Sequence, residues 1–177
     1  MTTADARSPR SPAVARTFTD QRDRTIHLRQ YERGLDPLED FYEYFDDESR
    51  AQGIPPRSAP RRSAWIEDLL EGHNVVAWHE EPEDAPDATE RIVGHAVLVP
   101  YGDAEAELAI FVRPDYQSAG IGTELVRSLL ALGRSEGVER VTLVVEPSNT
   151  IAVSLYRTVG FSVTDKHRGE FQMAREL

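Results

Sequence analysis

From about residue 24 onward, the hydrophobic positions of this chain alternate between strand-like and helix-like spacing. Apolar residues occupy every second position of Arg24–Gln30 and Glu105–Val112, which predicts strands with one buried face. Val141–Val145 is a continuous apolar run, typical of a central strand buried on both faces. The other predicted strands are Val75–His79, Arg91–Val99, Phe161–Lys166 and Glu170–Arg175.

Between these strands, apolar residues at spacings of three and four predict four helices. Asp36 is a suitable N-cap for the first helix, and Pro37 suits its first helical position. Gly72, Gly133 and Gly160 end the later ones. The apolar stripes are Leu38, Phe41, Tyr42 and Phe45; Trp65, Ile66, Leu69 and Leu70; Ile121, Leu125, Leu129 and Leu132; and Ala152, Leu155, Tyr156 and Val159. The order β-α-α-β-β-β-α-β-α-β-β, without internal repeats, predicts one α/β domain with a mixed sheet over residues 24–177.

Two segments lack this patterning. Residues 1–23 are rich in Ala, Ser, Thr, Pro and Arg, so we expect them to form a disordered leader. Residues 80–87 read Glu-Glu-Pro-Glu-Asp-Ala-Pro-Asp, which is typical of a solvated hairpin tip. The N-terminal region has no apolar core of a secretory signal, and nowhere are there the roughly 18 consecutive apolar residues of a membrane span. A cytoplasmic protein is therefore the default expectation.

The charge of the chain narrows the classes of partner. Its 177 residues include 31 acidic and 20 basic ones, for a net charge of −11, and no cysteine. Binding to nucleic acid or to an anionic membrane needs a basic face, so we expect neither. A cysteine nucleophile, a disulfide or a thiolate metal site is excluded. We also expect no metal centre, because His73, His79 and His95 lack the spacing of metal ligands.

Lysine is almost absent, since only Lys166 accompanies the arginines among the 20 basic residues. An acidic surface that retains Arg and lacks Lys indicates a protein adapted to concentrated salt, where carboxylate repulsion is screened. A GC-rich genome that encodes Arg in place of Lys is the alternative explanation. The acid excess needs its own cause, so we favour a halophilic protein.

The sharpest local motif is the segment from Val112 to Thr123, in which a strand ends and a glycine-spaced loop enters a long helix. Backbone N–H groups at such a helix start form an anion site, and Gly120 and Gly122 allow a phosphate to approach the main chain. A dinucleotide fingerprint would need glycine where Leu125 stands, and a Walker loop would need a Gly-Lys-Ser/Thr sequence. Neither of these phosphate loops fits.

Gln117-x-x-Gly120-x-Gly122 at this junction resembles the pyrophosphate loop of the GNAT superfamily, the Gcn5-related N-acetyltransferases. A second segment is similar to the same family. There Asn149 precedes a helix that bears Tyr156, and Gly160-Phe161 starts the next strand. The two motifs occur in the family's order, and the element order agrees from Arg24 onward. The resemblance implies the GNAT fold and an acetyl-CoA-dependent N-acetyltransferase that acts on a small amine, a protein lysine or an N-terminus.

The resemblance also implies residue roles. Backbone amides of the loop would hold the pyrophosphate of acetyl-CoA, and the preceding strand would pair with pantetheine and supply an oxyanion donor. Asn149 would bind pantetheine or its neighbouring backbone, and Tyr156 would protonate the leaving thiolate. The implied coenzyme contacts are Ile110, Phe111, Val112, Gln117, Ser118, Ala119, Gly120, Ile121, Gly122, Thr123, Asn149 and Tyr156. Ser118 and Ala119 depart from the family, which often has Gly and a basic residue there.

Several alternatives stay open from the sequence. Asn149 is also a suitable N-cap, and Tyr156 lies on an apolar stripe where it could be core. Glu107 is our candidate general base, with Glu105 or water as alternatives, since some relatives place a catalytic Glu on this strand. The segment Asp36–Arg62 would line the acceptor side. We expect direct attack by the amine in a monomer or homodimer, whereas a non-catalytic acyl-CoA-binding module is the competing function.

Overall fold

The computed structural model describes residues 15–45, 55–80 and 90–177. Within these ranges the chain forms eight strands and four α-helices. The strands are β1 Arg16–Thr19, β2 Thr25–Gln30, β3 His73–Glu80, β4 Glu90–Tyr101, β5 Glu105–Val112, β6 Arg140–Val145, β7 Ser162–His167 and β8 Glu170–Glu176. The helices are α1 Asp36–Glu43, α2 Ala59–Leu70, α3 Ile121–Ser135 and α4 Thr150–Thr158, with a 3₁₀ turn at Pro114–Tyr116.

From residue 24 onward, the predicted fold class and order of elements are confirmed. The prediction of a disordered leader over residues 1–23 is wrong at its end, because β1 pairs antiparallel with β2 and Asp20 after it is buried. Residues 1–14 lie outside the described residues, as does most of the predicted acidic hairpin tip. The N-cap of α1 is Leu35 rather than Asp36, which instead takes the first helical position.

All eight strands belong to one mixed sheet in the order β1-β2-β3-β4-β5-β6-β8-β7. Neighbouring strands are antiparallel except for β5 and β6, which run parallel. Their pairing is short: the register joins Glu105 with Arg140, Ala106 with Val141 and Glu107 with Thr142, and goes no further. Beyond this point β5 pairs only with β4, and β6 only with β8. The sheet therefore opens between β5 and β6.

The sheet separates two hydrophobic clusters. One cluster packs α3 and α4 against one face, with Leu125, Leu129 and Tyr156 among its buried members. The other packs α1 and α2 against the opposite face, around Tyr42 and Ile66. Period-2 alternation in β5 divides its side chains between the two, so Leu108 joins the first cluster while Phe111 packs against the second. None of the helices in the described ranges is both long and apolar enough to cross a membrane.

Candidate functional site

A cavity of about 590 Å³ lies where the sheet opens, between the end of β5, the start of α3 and one side of α4. Nine of the twelve predicted coenzyme contacts line it. They are Ile110, Val112, Gln117, Ser118, Gly120, Gly122, Thr123, Asn149 and Tyr156. Ala119 and Ile121 are buried beneath the loop, and Phe111 turns its side chain to the opposite face.

The loop before α3 is shaped to present main-chain N–H groups to this cavity. Gly120 is the N-cap of α3 in the left-handed region, with φ of 89°, and Ser118 also has a positive φ of 55°. The side chain of Gln117 donates to the carbonyl of Val112 at 2.9 Å, which ties the loop back to the end of β5. Amides in the first helical turn have no acceptor within the helix, so those of Ile121, Gly122 and Thr123 are available to an anion.

Gly122 brings α3 close to α4. A Cβ at this position would lie 2.8 Å from Cδ1 of Leu155 and 3.6 Å from Cδ1 of Ile110. The glycine is therefore required by packing. It lets α3 and α4 pack closely beside the cavity, which Gly122, Leu155 and the end of β5 all line.

The edge of β5 that faces the cavity carries main-chain groups that no strand pairs with, although Gln117 occupies the carbonyl of Val112. The amide of Arg113 donates to the carbonyl of Val93 on β4 at 3.0 Å. Because hydrogen-bonded and non-bonded pairs alternate in an antiparallel ladder, Phe111 also directs its backbone groups to β4, while Ile110 and Val112 direct theirs to the open edge. Of the three predicted strand contacts, the geometry therefore favours Ile110 and Val112 over Phe111.

Tyr156 lies on the face of α4 that borders the cavity. Its side chain is 8% exposed and meets the ring of Phe161 edge-on at 5.9 Å. Burial raises the pKa of the Tyr156 hydroxyl to about 12, so the phenol keeps its proton at neutral pH. The residue is therefore part of the core and also borders the cavity, and its role as proton donor stays a prediction.

Asn149 caps α4. Its side-chain oxygen accepts a hydrogen bond from the amide of Ala152 at 3.1 Å, as an N-cap does. Because this bond occupies the side-chain oxygen, the amide NH₂ is the part of Asn149 that can donate to a ligand. The structure thus supports the capping interpretation and places the residue in the cavity lining as well.

Glu105 and Glu107 do not line the cavity. Both lie in the part of β5 that still pairs with β6, and Glu105 is 4.0 Å from Arg140. The side chain of Glu107 is exposed, and by alternation it shares the sheet face of Phe111, opposite to α3. A base role for Glu107 thus stays a prediction, and it would act from the α1 side of the sheet.

The α1 side of the sheet is aromatic near the opening. The ring of Phe111 lies edge-on to Tyr42 at 5.3 Å and to Trp65 at 5.5 Å. A second cavity of about 490 Å³ lies nearby, and its lining includes the carboxylates Asp40, Glu43 and Glu90 together with Arg91 and Arg113. Part of the predicted acceptor segment, residues 46–54, lies outside the described residues.

Sequence reasoning missed several residues of the first cavity. They are Gln21, Tyr116, Thr150, Ile151, Ala152, Ser154, Leu155 and Thr158. The α4 residues could have been found from helical spacing, because Ile151, Leu155 and Thr158 follow one another at intervals of three and four. Gln21 had no local signal. It reaches the site only because β1 pairs with β2, and that segment was expected to be disordered.

Comparisons with known proteins agree with this geometry. The model of the Acetyltransferase (GNAT) family matches residues 38–161. A Pseudomonas paraeruginosa L-methionine sulfoximine/L-methionine sulfone acetyltransferase is 24% identical, in an alignment that covers 60% of this chain and 82% of the relative. The GNAT domain of Streptomyces PAT (S. lividans) superposes with a TM-score of 0.74 at 18% identity, over 92% of this chain and 97% of that one. Salmonella typhimurium YncA, solved with acetyl-CoA, has a TM-score of 0.65 at 19% identity, over 86% and 94% of the chains.

Proposed function

Because the chain belongs to the Acetyltransferase (GNAT) family, we propose that it transfers an acetyl group from acetyl-CoA to a primary amine by direct attack in a ternary complex. The observation that carries this proposal is that three features line one cavity. They are the free edge of β5, the amide-rich start of α3 and the hydroxyl-bearing Tyr156. The first two suit a pantetheine arm and a pyrophosphate, and the third suits the departure of a thiolate.

The residues present fit acetyl-CoA, which supplies the activated acetyl group as a thioester. The amides from Gln117 to Thr123 would hold the pyrophosphate at the positive end of the α3 dipole. Pantetheine would add to β5 as a strand does, bonded to the open backbone groups of Ile110 and to the amide of Val112.

The open edge of β5 also suits the polar chemistry of acyl transfer. A backbone amide of Ile110 or Val112 would donate to the thioester oxygen as negative charge develops there. Tyr156 would donate its proton to the departing sulfur. With a pKa of about 12 the phenol keeps its proton over the whole physiological pH range and can donate a hydrogen bond to the departing sulfur, although the same rise in pKa makes it a weaker acid.

The amine must lose a proton before or during attack, because an alkylammonium near pKa 10.4 is not nucleophilic. Glu107 is our candidate base, with Glu105 or water as the alternatives. Its place on the α1 face of the sheet supports this role, since an acceptor entering from that face would approach the β5 edge opposite to the coenzyme. The exposure of Glu107 also allows water to connect it with the amine.

For the acceptor we propose a cationic amine, either a small molecule or a lysine or N-terminus of a protein. Three carboxylates, of Asp40, Glu43 and Glu90, line the second cavity on the α1 side against two arginines, and Phe41, Tyr44 and Trp78 give it aromatic walls. The Pseudomonas paraeruginosa relative is named for small amino-acid-like acceptors, so amino acids and their analogues belong in the first panel of substrates.

The test is release of free CoA in the presence of amines, peptides and aminoglycosides, with Tyr156→Phe as the diagnostic variant. We expect Tyr156→Phe to lower kcat at least tenfold while acetyl-CoA still binds, because only the donated proton is lost. Tyr101→Phe is the matched control, since Tyr101 is 42% exposed and bonds Thr142 away from the cavity.

Each outcome of this test has a distinct meaning. An unchanged kcat in Tyr156→Phe would contradict the proton-donor role alone. Wild-type protein that binds acetyl-CoA but releases no CoA with any amine would contradict catalysis and favour the acyl-CoA-binding module. Wild-type protein that does not bind acetyl-CoA would contradict both functions.

A further inference from the structure

We infer that Gln21, in the turn between β1 and β2, binds the pyrophosphate of the coenzyme through its side-chain amide; this inference rests on the proposed function. The turn lies far from the loop of α3 in sequence but next to it in space. It would supply a side-chain donor at the place where Ser118 and Ala119 offer no basic group.

The turn is built around a buried carboxylate. Asp20 is 5% exposed, and its Oδ1 accepts from the amides of Arg22 and Arg24 at 2.9 and 3.0 Å. Its Oδ2 accepts from Nε of Arg24 at 2.8 Å. Burial alone would raise the pKa of Asp20, but these bonds and the Arg24 charge outweigh burial and lower it below 3.8. The turn is therefore held by an ionised carboxylate and has a defined shape.

The same turn is attached to the loop that precedes α3. The amide of Gln21 donates to the carbonyl of Ala119 at 3.1 Å. The guanidinium of Arg22 donates to the carbonyls of Asp115 and Gln117 at 3.1 and 3.3 Å. The guanidinium of Arg24 donates to the same Asp115 carbonyl at 3.2 Å. Arg24 also lies 4.0 Å above the ring of Tyr116. These contacts make the turn and the loop one rigid unit.

This unit places the side chain of Gln21 at the anion site. Gln21 lines the first cavity together with Gly120 and Gly122. Its Nε2 lies 3.6 Å from where a Cβ of Gly120 would be, so the amide group lies directly beside the N-terminus of α3. Among the described residues no hydrogen bond accounts for its two N–H donors. A pyrophosphate bound at the helix start would be within their reach.

The local charge supports the same ligand. The chain carries a net charge of −11, yet Arg22 holds a positive charge against the loop, while the charge of Arg24 is balanced by the ionised Asp20. Hydrogen bonds from the two arginines to the loop carbonyls reduce the negative potential at the site. Gln21 lies beside the site as an uncharged donor. A glutamate at position 21 would have the same size as glutamine, but it would place a negative charge beside the anion site.

The experiment compares binding of CoA and dephospho-CoA by calorimetry to wild-type protein, Gln21→Ala and Gln21→Glu. We expect Gln21→Ala to weaken both ligands about tenfold, as for loss of one hydrogen bond to a charged group. Gln21→Glu should weaken both by at least as much, because it adds repulsion. Asp23→Asn is the control in the same turn, since Asp23 is exposed and Asn tolerates its φ of 60°. It should change affinity less than twofold.

If the Gln21 variants lose affinity for CoA and dephospho-CoA by the same factor, at unchanged melting temperature, the result supports contact with the pyrophosphate that the two ligands share. A penalty for CoA alone would overturn the inference, because it would assign Gln21 to the 3′-phosphate. Affinities equal to wild type in both variants would overturn it as well. Wild-type protein that binds CoA without any amine-dependent turnover would contradict the proposed catalysis while leaving the role of Gln21 standing.

Discussion

At the scale of single residues, the side chain of His95 on β4 is held at both ring nitrogens. His95 is fully buried. Its Nδ1 lies 2.6 Å from the hydroxyl of Tyr42 on α1, and its Nε2 lies 2.8 Å from Oδ1 of Asn74 on β3. The Asn74 NH₂ donates to the carbonyls of Leu69 and Gly72, so its Oδ1 must be an acceptor. Nε2 of His95 therefore carries the proton, and Tyr42 donates to Nδ1.

This arrangement predicts a loss of stability in mild acid. Burial lowers the pKa of His95 to about 3, whereas a histidine in the unfolded chain titrates near 6.5. Between these values only the unfolded state binds the proton, so the free energy of unfolding falls as pH drops below 6.5. From pH 7 to pH 5 the expected loss is about 2 kcal/mol, measured by chemical denaturation at each pH.

In the His95→Gln variant the free energy of unfolding should no longer fall by this amount between pH 7 and pH 5, whatever its value at pH 7. His167→Gln is the control and should retain it, because His167 is exposed. A wild-type His95 ring that is shown by NMR to become protonated between pH 7 and 5 in the folded state would contradict the argument.

At the scale of elements, local signals were sufficient for some parts of the site and not for others. The loop from Gln117 to Gly122 was predictable, because a strand end, a proline and two glycines next to a helical stripe determine a turn by themselves. β1 was not predictable. Arg-Thr-Phe-Thr is short and polar, and it becomes a strand only because β2 offers an edge to pair with. Gln21 was missed for the same reason.

The junction between α2 and β3 is an element-scale constraint. A Cβ on Gly72 would lie 2.4 Å from the main-chain carbonyl oxygen of Leu98 on β4 and 3.1 Å from Cγ2 of Val97. The obstacle is the backbone of a central strand, which cannot move without disturbing its ladder. We therefore expect Gly72→Ala to lower the free energy of unfolding by about 2 kcal/mol or more, as overpacking does.

Gly34→Ala provides the matched comparison, because nothing lies within 4 Å of its Cβ position. It should change stability by no more than about 0.5 kcal/mol. Both variants are compared by denaturant unfolding. Equal stability of the two would show that α2 can shift away from β4, contrary to the packing described above.

At the scale of the whole molecule, the charge opposes the proposed ligand. A chain of net charge −11 repels the anionic coenzyme at long range, while the start of α3, together with Arg22 near it, attracts it at short range. Salt separates the two contributions, since the Debye length falls from about 10 Å at 0.1 M to about 3 Å at 1 M. Long-range repulsion is lost first, and contacts at hydrogen-bond distance persist.

We therefore expect acetyl-CoA to bind more tightly as KCl rises from dilute to molar concentration, as a protein adapted to salt would require. The measurement is the Kd by calorimetry over this range, with dephospho-CoA as the control ligand. Dephospho-CoA lacks the 3′-phosphate charge, so its Kd should change less steeply, whereas a general salting-out effect would act on both ligands alike. A steady weakening of acetyl-CoA binding would instead mean that local attraction to the loop dominates and that the acidic surface is not a salt adaptation.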